Sequence, residues 1–562
     1  MGQNRAMPAA DHPIPDRHGQ CLYRADEQLQ ALLPLYLPPD LLAHMRPRFA
    51  RMGELAGGRL DELAREADRH PPRLQTRNRR GEDEELILKH PAYREMERIA
   101  FADFGLGALS HRSETLGWAG AMPPAVKYVL TYLLAQAEFG LCCPVSMTDS
   151  LTRTLRRFGS PALLERCLPA LTSIDIDGLA QGAMFMTEQG AGSDVAATAT
   201  RAWRDTQGQW RLEGDKWFCS NPDAAYAMVL ARADGAPAGM KGVSLFLLPR
   251  VLEDGSRNRY RIVRLKDKLG TRSMASGEIR LEGAQAYLVG EEGRGFVQMA
   301  DMVNNSRLSN GVRAAGLMRR AVAEAEFIAR ERRAFGHALQ DLPLMRRQLD
   351  KLRVRAEQAR TLMFQTAAVL ERADAGDAQA YALLRILTPL IKFRACRDAR
   401  QVTGDAMEVR GGCGYIEEWS DARLVRDAHL GSIWEGTSNI VALDVLRAIR
   451  REGSLPVLRA HLDGLRADAA FIQAVPGAFA AVLADVAQAA ARLAEEAACD
   501  GGEELARQAA SGLYHATSAT AMAWEAARAG SPERLRWAQL VVMHRLLPRD
   551  PLRPRTGPGD WP

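Results

Sequence analysis

No run of about eighteen apolar residues occurs in this 562-residue chain, so a membrane-spanning helix is not expected. The first twenty residues, MGQNRAMPAADHPIPDRHGQ, lack the apolar core that a secretory signal needs. Its eight cysteines form no CxxC pair and have no histidines at zinc spacing. Free thiols in a reducing cytoplasm are therefore expected, and no metal site. Neither sign of charge dominates: 74 Lys+Arg face 69 Asp+Glu, a net charge of +5, which gives nucleic acid no strong general pull. With 25% charged residues the composition is not that of a disordered or fibrous chain. No internal repeat is visible.

What is abundant is apolar content, 47% of residues, enough to bury the cores of roughly three to four domains. Residues 1–40 are Pro-rich and then partly apolar, an arm that packs on something else. Residues 41–178 read as helical, with breaks at His70-Pro71-Pro72, Pro123-Pro124 and Pro144. Ala125–Leu141 carries a broad apolar stripe through Val126, Val129, Leu130, Leu133, Leu134 and Phe139. Residues 179–292 change character, with short apolar or alternating runs at Ala183–Met186, Trp210–Leu212, Tyr226–Leu230, Val243–Leu248, Tyr260–Val263 and Ile279–Leu281. No helices alternate with these runs, which predicts an antiparallel barrel or sandwich. Residues 293–452 return to helix, with long segments near 300–333, 344–372, 376–402 and 435–450 that predict a bundle. Residues 453–562 form an extra Ala-rich helical domain ending in a Pro/Arg tail. The expected fold is α+β: a helical domain, a β domain, a helical bundle and a further helical domain.

The stretch Ser432-Ile433-Trp434-Glu435-Gly436-Thr437-Ser438-Asn439 is the most informative. A carboxylate between Ile433, Trp434 and Gly436 has few water-facing neighbours, so its basicity should rise toward that of a proton acceptor working near neutral pH. The plainer reading is a helix start, where Glu and Thr only cap. Met186–Asp194 follows a predicted strand; Gly190 and Gly192 would let backbone approach a ligand, and Ser193 offers a hydroxyl to a phosphate. It lacks the third glycine and the helix of a dinucleotide fingerprint, and a strand–strand turn uses the same residues. Gly214–Asn221 puts aromatic rings and the Ser220 hydroxyl on one strand, either to cover a flat heterocycle or as a half-buried aromatic strand. Arg332–Gly336 ends a long helix where cations are favourable anyway, and the Gly-rich Glu408–Tyr415 fits a helix C-cap as well as a ligand loop.

Singly these segments are weak; their order is not. TEQGAGSD, GDKWFCSN, KDKLGTRS, RRAFG, EVRGGCGY and IWEGTSN, in this sequence and separation, resemble the acyl-CoA dehydrogenase family of flavoproteins over about 125–450. The N-terminal arm, the phrase Arg264–Gly270, the Trp before Glu435 and the helices past 452 look like the AidB branch, the adaptive-response flavoproteins tied to DNA alkylation damage.

The resemblance implies FAD, held by Met184, Met186, Thr187, Gly190, Gly192, Ser193, Phe218, Ser220, Gly412, Ile433, Trp434, Thr437 and Asn439. It implies that Arg332 and Phe335 reach FAD across a subunit interface, in a homotetramer built as a dimer of dimers. Glu435 matches the catalytic base, which removes the α-proton of an acyl-CoA thioester while the β-hydrogen leaves as hydride to the flavin. Arg307 matches a substrate-side arginine. Three positions depart from the family: Gln189 for a proline, Glu408 for a glutamine and Asn304 for an aspartate.

The AidB-like resemblance further implies duplex DNA bound by the C-terminal region. That region, 451–562, holds twelve Arg, no Lys and thirteen Asp+Glu, a net of −1. Any phosphate contact must come from local clustering, for which Arg534, Arg536, Arg545 and Arg549, with Arg447 on the preceding helix, are the candidates; ion pairs or a solvated face are the alternative. The expected function is an FAD-containing, DNA-associated AidB-type protein with weak dehydrogenase activity. The alternative is a metabolic acyl-CoA dehydrogenase performing α,β-desaturation.

Overall fold

The computed structural model describes residues 14–548 and Leu552. The N-terminal helices Pro39–Gly57, Pro91–Arg98, Pro124–Ala135 and Pro161–Leu171 each open on proline, whose fixed φ and missing N–H suit a first helical position. All twelve residues of Pro124–Ala135 are buried, so this helix is central rather than amphipathic. Its Lys127 is neutralised at 2.9 Å by Asp149, which also binds His111.

The helical reading of 41–178 misses one hairpin, Arg73–Arg77 with Asp83–Leu88. Its charged sequence hides the strand alternation, because Glu85 and Ile87 are its buried side chains and only Ile87 is apolar, packed with Leu74 against Ile262 and Ala275 of the β domain.

The β domain closes on itself. Tyr226–Ala233 pairs with Arg201–Arg204 and Val243–Pro249, and Ser276–Leu288 bridges Trp210–Ser220 back to Val243–Pro249. The ring encloses Leu212, Val229, Phe246, Leu248, Ile279 and Leu281. It is not wholly antiparallel as expected: Gly182–Phe185 and the unpredicted strand Arg201–Arg204 both run parallel to Tyr226–Ala233. The crossover between parallel strands is usually helical. Here the 186–200 loop and a hairpin carry it, which leaves no helical period in the sequence.

The bundle is made by Gly295–Glu331, Pro343–Asp374, Ala378–Arg410 and Ser438–Glu452, with an unpredicted helix at Ser420–Gly431. Gly270 is pressed against the backbone of that helix; a Cβ there would meet the Arg426 carbonyl carbon and oxygen at 2.6 Å. The next residue, Thr271, takes φ 50° and donates its N–H to Asp427 at 2.6 Å. Only glycine permits this approach, which explains the Gly in KDKLGTRS.

The C-terminal helices Ser454–Arg466, Gly477–Ala498, Ala506–Ala529 and Pro532–Val541 are fastened to the bundle by a buried ionic network. Arg534 binds Glu357 at 2.7 Å and Glu525 at 2.6 Å; Arg360 binds Glu357 and, at 2.6 Å, Asp26; Tyr36 donates to Glu525 at 2.7 Å. Burial raises the Asp26 carboxyl, but Arg360 and Arg319 more than offset it and hold it below its ordinary value. By length and composition Gly477–Ala498 could cross a membrane. Here its Phe479, Leu483, Val486, Ala490 and Ala494 are buried, and it packs along Ala506–Ala529.

Candidate active site

Glu435 lies in the turn between Ser420–Gly431 and Ser438–Glu452, not on the predicted helix of 435–450. Its φ of 49° is unusual for a residue with a Cβ, and Gly436 follows at 99°. Two cations from facing helices hold this conformation through backbone carbonyls. Arg307 Nε donates to the Glu435 carbonyl at 2.9 Å, and Lys392 Nζ to the Gly436 carbonyl at 2.6 Å. Burial, with Arg307 and Arg313 nearby, pulls the Lys392 ammonium down to about 8.

The Glu435 side chain is half-buried, and its Oε2 accepts the Asn310 amide at 2.8 Å. The expected apolar collar does not form. Ile433 is 58% exposed, and Trp434 turns away to stack on Phe139, 6.1 Å between centroids. The groups around the carboxylate are the Asn310 amide, the Arg307 and Lys392 cations and the buried Cys143 and Cys396 thiols. Arg307, expected to face substrate, spends its hydrogen bonds within the chain: Nε on Glu435 and Nη1 on Asp444 at 2.7 Å and on Asn304 at 3.4 Å.

The second half of the site comes from the β domain. The ladder between Trp210–Ser220 and Ser276–Leu288 jumps from Lys216 to Cys219, freeing Trp217 and Phe218 from cross-strand pairing. The Trp217 N–H instead donates to the Thr187 carbonyl at 2.8 Å. Phe218 projects outward, 59% exposed, and Lys266 lies over the Trp217 ring. Beneath, buried Lys216 binds Glu188 at 2.6 Å, and Glu188 also accepts the Thr200 hydroxyl at 2.6 Å and the Ala199 N–H at 2.7 Å. This buried pair fixes the 186–193 loop, on which Met186 and Thr187 are half-buried and Gly190, Gly192 and Ser193 exposed; Met184, on the preceding strand, is half-buried.

The buried Cys143 thiol is pushed up to about 11 by burial, and Arg313, Glu435 and Ser220 are among the groups that act on it.

Other predicted positions lie on the surface of the chain. Thr437 and Asn439 are exposed at the start of Ser438–Glu452, and Thr437 makes no capping bond. Gly412 lies exposed in the 3-10 turn Gly411–Tyr415. Arg332 donates to the Arg410 carbonyl at 2.9 Å, beside that turn. Phe335, at φ 54°, tips a two-residue hairpin turn and is 89% exposed.

The predicted DNA-facing arginines do not form one patch. Arg534 is fully buried in its ion pairs with Glu357 and Glu525, and Arg536 is paired with Asp350. Counting arginines by sequence could not reveal this, because the compensating carboxylates lie on other helices. Arg447 and Arg545 are exposed, and Arg549 lies outside the described residues. A different cationic group was missed. Arg397 and Arg400 of Ala378–Arg410 and Arg507 of Ala506–Ala529 gather beside the Glu435 turn, with Arg397 donating to Ser438 and Arg400 to Ser432. Burial and the neighbouring Arg507, Arg394 and Arg400 lower the Arg397 guanidinium. Asn310, Lys392 and Cys143 were missed too; only the spacing of Asn310, one turn after Arg307, hinted at a shared face.

Three family models match the chain: an adaptive response protein AidB N-terminal domain over 14–178, an acyl-CoA dehydrogenase middle domain over 183–284 and an acyl-CoA dehydrogenase C-terminal domain over 293–450. The putative acyl-CoA dehydrogenase AidB of Escherichia coli is 35% identical over 70% of this chain and 72% of its own. Acyl-CoA dehydrogenase family member 11 of Caenorhabditis elegans is 32% identical over 76% of this chain and 70% of its own. The crystal structure of Caenorhabditis elegans ACDH-11 in complex with C11-CoA superimposes with a TM-score of 0.87, at 26% identity, over 97% of this chain and 95% of that one.

Proposed function

Because this chain belongs to the acyl-CoA dehydrogenase family, with an amino-terminal region of the AidB type, we propose that it binds FAD and uses Glu435 to remove the α-proton of an acyl-CoA thioester. The observation that carries this reading is the Glu435 turn itself, held through its backbone by Arg307 and Lys392 with the carboxylate oriented by Asn310.

The residues present fit the cofactor. Cβ atoms built at Gly190 and Gly412 would meet nothing within 4 Å, so backbone there is open to a ligand. Phe218 offers an exposed ring, and Thr187, Ser193 and Ser220 offer hydroxyls. When bound, FAD supplies the acceptor for the hydrogen that leaves the β-carbon. The chain supplies the rest. Asn310 occupies Oε2 of Glu435 and leaves Oε1 for the proton. Arg307 and Lys392 hold the strained turn, so the carboxylate need not reorganise during transfer. The Glu435 backbone N–H is a donor for the thioester oxygen, and Arg397, Arg400 and Arg507 offer their cations to phosphates of the carrier. Phe335, 89% exposed, and Tyr415, 80% exposed, are apolar groups for burial by further copies in a homotetramer. The complex of the nematode relative with C11-CoA supports a thioester ligand.

Anaerobic mixing of the FAD-loaded protein with a panel of acyl-CoAs tests the proposal. Bleaching of the flavin that is lost in Glu435→Gln supports it, and an unbleached flavin with every thioester overturns it.

A second reading, duplex-DNA association in alkylation defence, is favoured by the match of residues 14–178 to the adaptive-response domain. Its protein-side support is reduced to exposed Arg400, Arg447, Arg507 and Arg545. A salt-dependent affinity for duplex DNA is its test.

A further inference from the structure

Arg313 lies two turns beyond Arg307 and one turn beyond Asn310 on Gly295–Glu331, with no accessible surface. Its Nε donates a long 3.3 Å bond to the Ser309 carbonyl, and among the described residues its Nη1 has no partner. Among the described residues it forms no ion pair. A buried guanidinium in this condition is costly, since fully buried cations are almost always paired. Two ring faces offset part of that cost: the guanidinium carbon lies 5.0 Å from the Trp434 ring centroid and 5.4 Å from that of Phe139.

The polar groups around it share the deficit. Among the described residues Trp434 Nε1 is a second buried donor without an acceptor, and Asn310 Oδ1 is a buried acceptor without a donor. The thiols within electrostatic reach supply no charge, because burial pushes Cys142 up to about 12 and Cys143 and Cys396 up to about 11. Lys392 adds a further cation. Of the neighbouring carboxylates, Asp444 is paired with Arg307, Arg385 and Arg447, and Glu435, bound through Oε2 to Asn310, forms no ion pair with Arg313 among the described residues.

We infer that the Arg313 guanidinium and the Trp434 indole N–H form an anion subsite behind Glu435, and that the acyl group presented to this base ends in a carboxylate. The ligand class is a short ω-carboxyacyl thioester, an inference that rests on the proposed thioester reading of the site. Geometry favours a short chain. The residue that holds the base and the residue that would take the carboxylate are three positions apart on one helix, a rise of about 4.5 Å. A carboxylate there accepts from Arg313 Nη1 and Trp434 Nε1 at once and gives the buried cation its counter-ion.

The test is calorimetric binding of two chain-matched thioesters, one ending in methyl and one in carboxylate, to the full-length FAD-loaded protein and to Arg313→Met and Arg313→Lys. Expected is a preference of roughly tenfold or more for the carboxyacyl thioester in the unmodified protein, lost in Arg313→Met and partly restored in Arg313→Lys. Trp434→Phe, which keeps the ring and removes the N–H, should reduce the same preference, so the result does not depend on Arg313→Met folding well. Equal binding of the two thioesters by the unmodified protein overturns the inference and leaves the guanidinium as a water-bridged structural group. A preference that survives in Arg313→Met overturns it as well. Failure of the thioester reading is distinguishable: both compounds then leave the flavin unbleached, whichever binds better.

Discussion

Asn310 reaches across from Gly295–Glu331 to place its amide 2.8 Å from one oxygen of Glu435, while its own carbonyl oxygen finds no donor. A side chain so placed can orient the carboxylate without consuming the oxygen that takes the proton. Asn310→Leu should therefore slow anaerobic flavin bleaching by about ten- to a hundredfold, the worth of a hydrogen bond to a charged group at about 1.5–3 kcal/mol. FAD content should be unchanged, because Asn310 lies apart from the 186–193 loop. Rapid mixing with absorbance at the flavin band measures the rate, and a rate equal to that of the unmodified protein rejects the role.

Lys392 acts one step further from the chemistry, through the Gly436 carbonyl at 2.6 Å. The turn it holds contains two successive positive φ values, at Glu435 and Gly436, so loss of the clamp lets the backbone relax. Lys392→Met is expected to lower the bleaching rate by about tenfold or more with a smaller effect on thioester affinity, because positioning enters the barrier more than the binding. A change confined to affinity would place Lys392 in substrate binding instead.

These positioning groups show where sequence legibility ended. The order of motifs was enough for the family, and the helical stretches were legible from their periodicity and proline starts. The unusual neighbours of Glu435 single it out in the sequence, but the apolar collar they suggest is absent: Ile433 faces outward and Trp434 stacks on Phe139. Which way a side chain points in a tight turn depends on φ values that no residue pattern encodes. Asn310, Lys392 and Arg313 stayed hidden for another reason. Each occupies a helix position where polar residues are ordinary, and only the packing of two helices around the turn makes them converge.

Asp427 ties the KDKLGTRS loop to the bundle through the Thr271 N–H at 2.6 Å, and burial, with Glu138 adding to it, raises its carboxyl to about 7. A carboxyl whose folded pKa lies above its unfolded value of 3.8 binds more protons in the folded state between those two pH values. Its contribution to stability is complete below about pH 4 and declines as pH rises through 7. Asp427→Asn keeps an acceptor for Thr271 and removes the titration. Thermal melts should show the variant gaining on the unmodified protein between pH 5 and pH 8, by up to about 3 kcal/mol. A constant difference across that range would mean that Asp427 does not titrate there.

The last prediction concerns Arg534, which looked from the sequence like a phosphate contact and lies fully buried between Glu357 and Glu525. Removing it leaves two buried carboxylates short of their cation, a loss of about 3–5 kcal/mol. Arg534→Met should lower the melting temperature and loosen the seam where the N-terminal arm, the bundle and the C-terminal helices meet through Asp26, Arg360 and Tyr36. Any effect on duplex DNA should follow from that loosening. At a temperature where the variant remains folded, affinity and its slope against salt should match the unmodified protein, whereas Arg400→Ala with Arg507→Ala should flatten the slope by about one to two ion equivalents if DNA binds there. A reduced slope in folded Arg534→Met would show that the guanidinium leaves its ion pairs to meet phosphate, and the buried network would then have to be read as a switch.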